Sequence, residues 1–249
     1  MKLVGKIGIF AMLFSILFFF LHATDVTKTV VRDDMEDLGG IPWLYSAVCL
    51  IFTILAGFVI QHEWDQWNDF MDAIKGEVSM LRSLGLWSQH VSDLGTKLRD
   101  AMSQYLAVTI QDEWHASSLG ESEAAGKALV VVQEEASMLF QHSELRMTTV
   151  GIIGDLLRHR EHRLHSGQRR MPAILKATVG FADGLVIVLS LFIGVKHLWL
   201  DYLFTLSIAL LAYVVYLVID DLDHPLRPGL WHVTAKPYER LLAQLQQNR

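Results

Sequence analysis

IPWLYSAVCLIFTILAGFVI, residues 41–60, runs without a break into QHEWDQWNDFMDAIKGEVSMLRSL, residues 61–84. The first half is apolar and long enough to cross a bilayer core, which takes about 20 helical residues. In the second half the apolar positions Trp67, Met71, Ile74, Val78, Leu81 and Leu84 recur at steps of three or four. That period makes one face of a helix apolar. After Pro42 no residue stops the helix, so the pattern predicts one rod that leaves the membrane and continues into water.

Three more apolar stretches frame this one: Ile7–Leu21, Ala177–Val195 and Tyr202–Ile219. Backbone polar groups go unpaired in lipid unless the segment is helical or closes a barrel, so these stretches are read as helices. The expected fold is all-α. Four transmembrane helices enclose a long helical insert between the second and third, and helix 2 is continuous into the cytoplasm. One domain is expected: membrane helices 1 and 2 over 1–61, insert over 62–176, membrane helices 3 and 4 over 177–219, and tail over 220–249. Lys2 and Lys6 precede the first run, as in a signal peptide. Leu21-His22-Ala23 fits a small-x-small cleavage site poorly, so a retained helix is expected.

Basic residues set the orientation. With the N-terminus inside, eighteen of the 21 Lys and Arg residues lie on the cytoplasmic side and only Lys28, Arg32 and Lys196 outside. The stretch before the third span carries Arg158, Arg160, Arg163, Arg169, Arg170 and Lys176 against Glu161 alone. Both termini and the insert are therefore expected in the cytoplasm of a multi-pass inner (plasma) membrane protein. Composition agrees, with 52% hydrophobic residues and a mean hydropathy of +0.32. A net charge of −6, spread along the chain, gives no nucleic-acid footprint. Cys49, alone in an apolar run, is read as a small core residue.

Within the insert a second helix carries Leu94, Leu98, Met102, Tyr105 and Val108 and ends near Trp114. Ser117–Gly120 is a turn. A third helix is expected from Ser122 to His165, bending at Gly151 or Gly154. Each apolar stripe must be buried, either in one bundle or against other subunits. The tail residues Tyr238, Leu241, Leu242 and Leu245 form a short amphipathic helix that packs on the insert or lies at the membrane.

A set of local motifs resembles a bacterial membrane family described as bestrophin-like. Trp64-x-x-Trp67 follows the apolar helix, with Glu77 beyond it. Arg99 and Tyr105 stand in a Leu-Arg-x-x-x-x-x-Tyr pattern, and Glu113-Trp114 follows. Asp221-Leu222-Asp223-His224-Pro225 closes the last span, with Leu226 where the family carries Phe. The resemblance covers roughly residues 41 to 230. It implies a homo-oligomer, a pentamer in bestrophins, that conducts small inorganic ions through a pore lined by membrane helix 2. The family implies an anion. The first external loop, with five acids against two bases, would repel anions at that mouth.

Candidate pore residues are Ile51, Leu55 and Phe58, which share one face of helix 2 and suit an apolar gate. Asp183 is the fourth. A carboxylate at membrane depth costs about 2.5–3.5 kcal/mol on insertion scales, so it marks an ion or proton pathway or a pairing with a neighbouring helix. Arg163, Arg169, Arg170 and Lys176 are expected to meet lipid headgroups. His159, His162 and His165 step around a helix by three and make no set for one metal ion. Asp220, Asp221 and Asp223 fit a helix stop that docks the tail; some bestrophins use such a cluster for calcium. No metal, cofactor or enzyme motif is found. A rival reading is a membrane-anchored sensor or adaptor without transport.

Overall fold

The computed structural model describes residues 2–24, 41–89, 93–114, 120–141, 145–191 and 197–247. The external-loop charges Asp25, Lys28, Arg32, Asp33, Asp34, Glu36 and Asp37, and Lys196, lie outside the described residues. Eight α-helices appear among the described residues: α1 Lys2–Ala23, α2 Ile41–Ser88, α3 Asp93–Val108, α4 Glu123–Phe140, α5 Arg146–Gln168, α6 Ala173–Ser190, α7 Leu198–Leu222 and α8 Lys236–Gln247. A π-helical turn, Thr109–Glu113, follows α3 directly. The continuous second helix is present as α2, 48 residues long. At 1.5 Å per residue it runs about 70 Å.

The chain divides into two compact units, and the boundary falls inside α2. One comprises Met1–Trp64, Arg170–His224 and Gly229–Trp231; the other takes Asp65–Arg169, Pro225–Pro228 and His232–Arg249. Four helices, α1, α2, α6 and α7, are long and apolar enough to cross a membrane. In the first unit, Phe52, Ala56, Val186 and Ala212 form one buried cluster, with Cys49 at its edge. Val59, Met171, Val179 and Ile219 form a second. Helix α1 joins through Phe14 and Phe18 against Ala209, Phe10 stacked on Tyr213 at 4.1 Å, and the Ser15 and Tyr202 hydroxyls 2.8 Å apart. Each apolar window is only 11% to 28% buried within the chain. The remainder needs lipid or protein to cover it.

The second unit has its own core, so the insert buries its stripes within one chain. Phe70, Ile74, Val78, Leu81 and Leu84 from α2 meet Leu98, Met102, Tyr105 and Leu106, then Leu129, Val132, Leu139, Leu156 and Leu164. The tail helix α8 enters the same core through Tyr238, Leu241 and Leu245. Trp67 and Trp114 pack against it.

The third insert helix differs from expectation. It is two helices, α4 ending at Phe140 and α5 starting at Arg146; residues 142–144 lie outside the described residues. Gly151 and Gly154 lie within an unbroken α5, and a Cβ at either would meet open space. The apolar stripe shifts phase from one helix to the next: α4 buries Ala136, Leu139 and Phe140, whereas α5 buries Thr149, Leu156 and Leu164. One straight helix would have turned one of these stripes to water. Ser122 caps α4, its hydroxyl accepting from the Ala125 N–H at 3.3 Å.

Gly95 marks the tightest backbone approach in the second unit, since a Cβ there would strike the Ser88 carbonyl oxygen. A backbone group cannot swing aside as a flexible side chain would. Gly95→Ala is expected to cost about 1–3 kcal/mol, read as a lower thermal midpoint of the detergent-purified protein. Gly126→Ala, with open space around it, is expected to leave the midpoint unchanged or raise it.

Candidate functional site

The second unit holds a buried ionic network that the sequence motifs only half outline. Glu77 sits among the apolar residues of α2 and is fully buried. Arg163 of α5 is fully buried too. Its Nε donates to Glu77 Oε2 at 2.7 Å and its Nη2 to Glu113 Oε2 at 2.6 Å. Arg160, one turn earlier, donates to Glu113 Oε1 at 2.8 Å. Two phenols complete the set: Tyr105 donates to Glu77 Oε1 at 2.5 Å and Tyr238 to Glu77 Oε2 at 3.0 Å. The Arg163 guanidinium also lies over the Tyr238 ring, 5.6 Å from its centroid. Two guanidinium groups thus balance two carboxylates, which is how charge survives without water.

Burial comes first in pushing both phenols well above the ordinary tyrosine range, and the Glu77 charge adds to it. Burial opposes the charge on Arg163, but the Glu77 and Glu113 carboxylates beside it keep it protonated.

Arg163 is therefore not a headgroup residue. At 0% exposure it has no surface to offer lipid. The missed signal was periodic: Leu156, Arg160, Arg163, Leu164 and Gly167 are all buried on α5, so two arginines sit on an apolar stripe. Lys176 is also committed to protein, with Nζ 2.7 Å from Asp220 Oδ1 and 3.1 Å from Asp223 Oδ2. Arg169 and Arg170 are exposed.

The aspartates at the C-terminal end of α7, Asp221 in its last turn and Asp223 just beyond it, act as a stop. Asp223 accepts the Met171 N–H at 2.7 Å. Asp221 accepts the N–H groups of Leu230 and Trp231 at 2.8 and 3.2 Å, and a Cβ on Gly229 would collide with that carboxylate. Pro225 is buried, and its carbonyl accepts from Val233 at 2.8 Å. Trp64 meets Trp231 edge-on, ring centroids 6.2 Å apart. Arg99 bonds within its own helix, to the Gly95 carbonyl. No group of three or more metal-binding side chains is arranged to hold an ion among the described residues.

In the first unit the pore candidates separate. Ile51 and Phe58 are 66% and 73% exposed, Leu55 is half-buried, and Ile54 and Leu50 share the uncovered side of α2. Asp183 lies elsewhere, in the covered stripe Val179, Asp183, Val186 and Ser190 of α6. Its Oδ1 has no partner among the described residues. The structure does not bring it together with Ile51 and Phe58.

A family model described as a Bestrophin-like domain matches residues 9–237. The chain belongs to the bestrophin-like family. No curated protein matches it. Among solved structures, it resembles a bacterial bestrophin homolog from Klebsiella pneumoniae carrying a tryptophan-to-alanine change. That match has a TM-score of 0.74, 11% identity, and coverage of 98% of this chain and 96% of that one. A leucine-to-threonine form of the Klebsiella protein gives 0.71 at 13% identity, covering 100% and 97%. An isoleucine-to-threonine form gives 0.67 at 15%, covering 100% and 99%. At such identities the likeness is one of fold. This bestrophin-like chain is thus a membrane protein with the bestrophin architecture.

Arg163→Ala would leave Glu77 and Glu113 buried with too little counter-charge. Breaking a buried pair in this way costs about 3–5 kcal/mol, so thermal unfolding should fall sharply, and further than for Arg158→Ala on the surface. The raised phenols give a sign for alkali. Their stabilisation is complete below the unfolded tyrosine value of about 10 and is lost as pH climbs through their higher folded values. Tyr105→Phe/Tyr238→Phe should flatten the loss of stability above pH 10, measured by unfolding across an alkaline pH series.

Proposed function

We infer that this protein is an oligomeric ion channel whose pore is lined by α2, with Ile51, Leu55 and Phe58 as an apolar neck. The division of α2 is the observation that carries this reading. Phe52, Ala56 and Val59 pack inside the chain while Ile51 and Phe58 are left uncovered. An apolar ring of this kind, repeated around an axis, can gate by dewetting.

A second uncovered surface supports assembly. Val130, Val131 and Met138 on α4, with Met147, Val150 and Leu157 on α5, are exposed on the unit rich in charged residues. Lipid does not cover a surface in water, and apolar groups gathered there call for a protein partner. A second copy of the chain is the partner proposed. The insert and both termini lie in the cytoplasm in this reading, by the balance of basic residues, and the whole chain acts as a single domain. Arg169 and Arg170 meet anionic headgroups, and Trp64 sits near headgroup level. Family membership favours an anion as the permeant species, and selectivity then arises inside the pore.

The test is a flux assay in liposomes with purified protein of measured mass. A ring of about five copies that passes small ions supports the reading. A monomer or dimer without flux contradicts it and leaves a membrane-anchored adaptor. Phe58→Ala should raise flux by widening and wetting the neck. Phe52→Ala should instead cost about 3–5 kcal/mol of stability.

A further inference from the structure

We propose that α5 carries a binding groove for a phosphate-bearing ligand, formed by Arg158, His159, His162 and His165. A cavity of about 460 Å³ opens beside these four side chains and Glu161. That volume falls in the range of small-ligand sites, about 300–1,000 Å³. Four nitrogen-bearing side chains line the cavity together with the Glu161 carboxylate, and the Asp155 carboxylate stands beside Arg158. Arg158 supplies a planar fork of donors suited to phosphate oxygens. It is held from one side only, by Asp155 at 3.1 Å, and its side chain is 72% exposed. Each neutral imidazole still offers one N–H donor and a protonated one offers two.

The groove wall is built rather than accidental. The His159 ring lies directly against the backbone of Gly76 on α2, where any Cβ would strike three of its ring atoms. A glycine at that point of α2 is what lets the ring seat. None of the three imidazoles takes part in the Glu77–Arg163 network, and no hydrogen bond or ion pair engages them among the described residues. A single metal ion is not the occupant expected, since these rings form no chelating set of three. The chemistry left is oxyanion recognition by several donors. Phosphate reaches such a groove from a soluble phosphate compound or from a lipid phosphomonoester. The assignment stands whether or not the protein conducts ions.

Full-length protein in phosphatidylcholine nanodiscs, titrated with inorganic pyrophosphate in a calorimeter, tests it. Saturable binding is expected. Arg158→Ala/His162→Ala should weaken it about tenfold or more, and Arg158→Lys should restore part of the loss. Both side chains are exposed, so the double variant should unfold at the wild-type temperature. Arg82→Ala, an exposed arginine outside the groove, should bind as wild type. Nanodiscs containing phosphatidic acid separate the sources: lost pyrophosphate binding assigns the groove to lipid, and retained binding assigns it to a soluble phosphate. Two results overturn the proposal. One is no saturable binding of pyrophosphate together with no Arg158-dependent binding of phosphatidic acid. The other is a double variant that binds as tightly as wild type.

Discussion

In hydrocarbon a helix satisfies its own backbone, so only side-chain packing decides which face of a spanning helix is covered. The rest of this structure follows from that division on α2. One side, with Phe52, Ala56 and Val59, is used up by packing within the chain. The other, with Ile51, Ile54 and Phe58, is spent on nothing inside it. A lone membrane helix has no need to choose. That uncovered face is the one proposed as the pore wall.

The second unit meets the opposite constraint. It sets a buried, fully charged cluster in an apolar core, which is affordable only when every charge has a counterpart. Glu77, Arg163, Glu113 and Arg160 supply that balance from α2, α5 and the turn after α3. Tyr238 brings the tail helix to the same point. Residues 86 and 161 positions apart in sequence converge on one carboxylate. Such a cluster often stabilises no more than an apolar core of equal volume, but removing any one partner leaves a buried charge uncompensated.

Much of this was legible in the sequence. Continuous apolar runs fixed the four candidate spans, and a three-and-four period carried α2 past Trp64 as one rod. The family motifs pointed to Glu77, Tyr105 and Glu113, although their joint purpose needed the third dimension. Arg163 was misread because a juxtamembrane arginine usually faces lipid, and local charge counting ignores the apolar stripe it sits on. The break between α4 and α5 was hidden because residues 141–145 include no glycine or proline, while Gly151 and Gly154 offered a false hinge. Asp183 stands out in the sequence as a costly carboxylate in an apolar run. Which way it points was beyond reach, since both faces of a spanning helix are apolar.

Single cysteines at positions 51, 55 and 58, in a Cys49→Ser background, test the central claim most directly. Reconstituted protein is assayed for ion flux before and after a charged, membrane-impermeant thiol reagent. If α2 lines the conduction path, modification at 51 and 58 changes the flux, while a cysteine replacing exposed Phe204 on α7 is silent. Flux indifferent to modification at all three α2 positions would contradict the account.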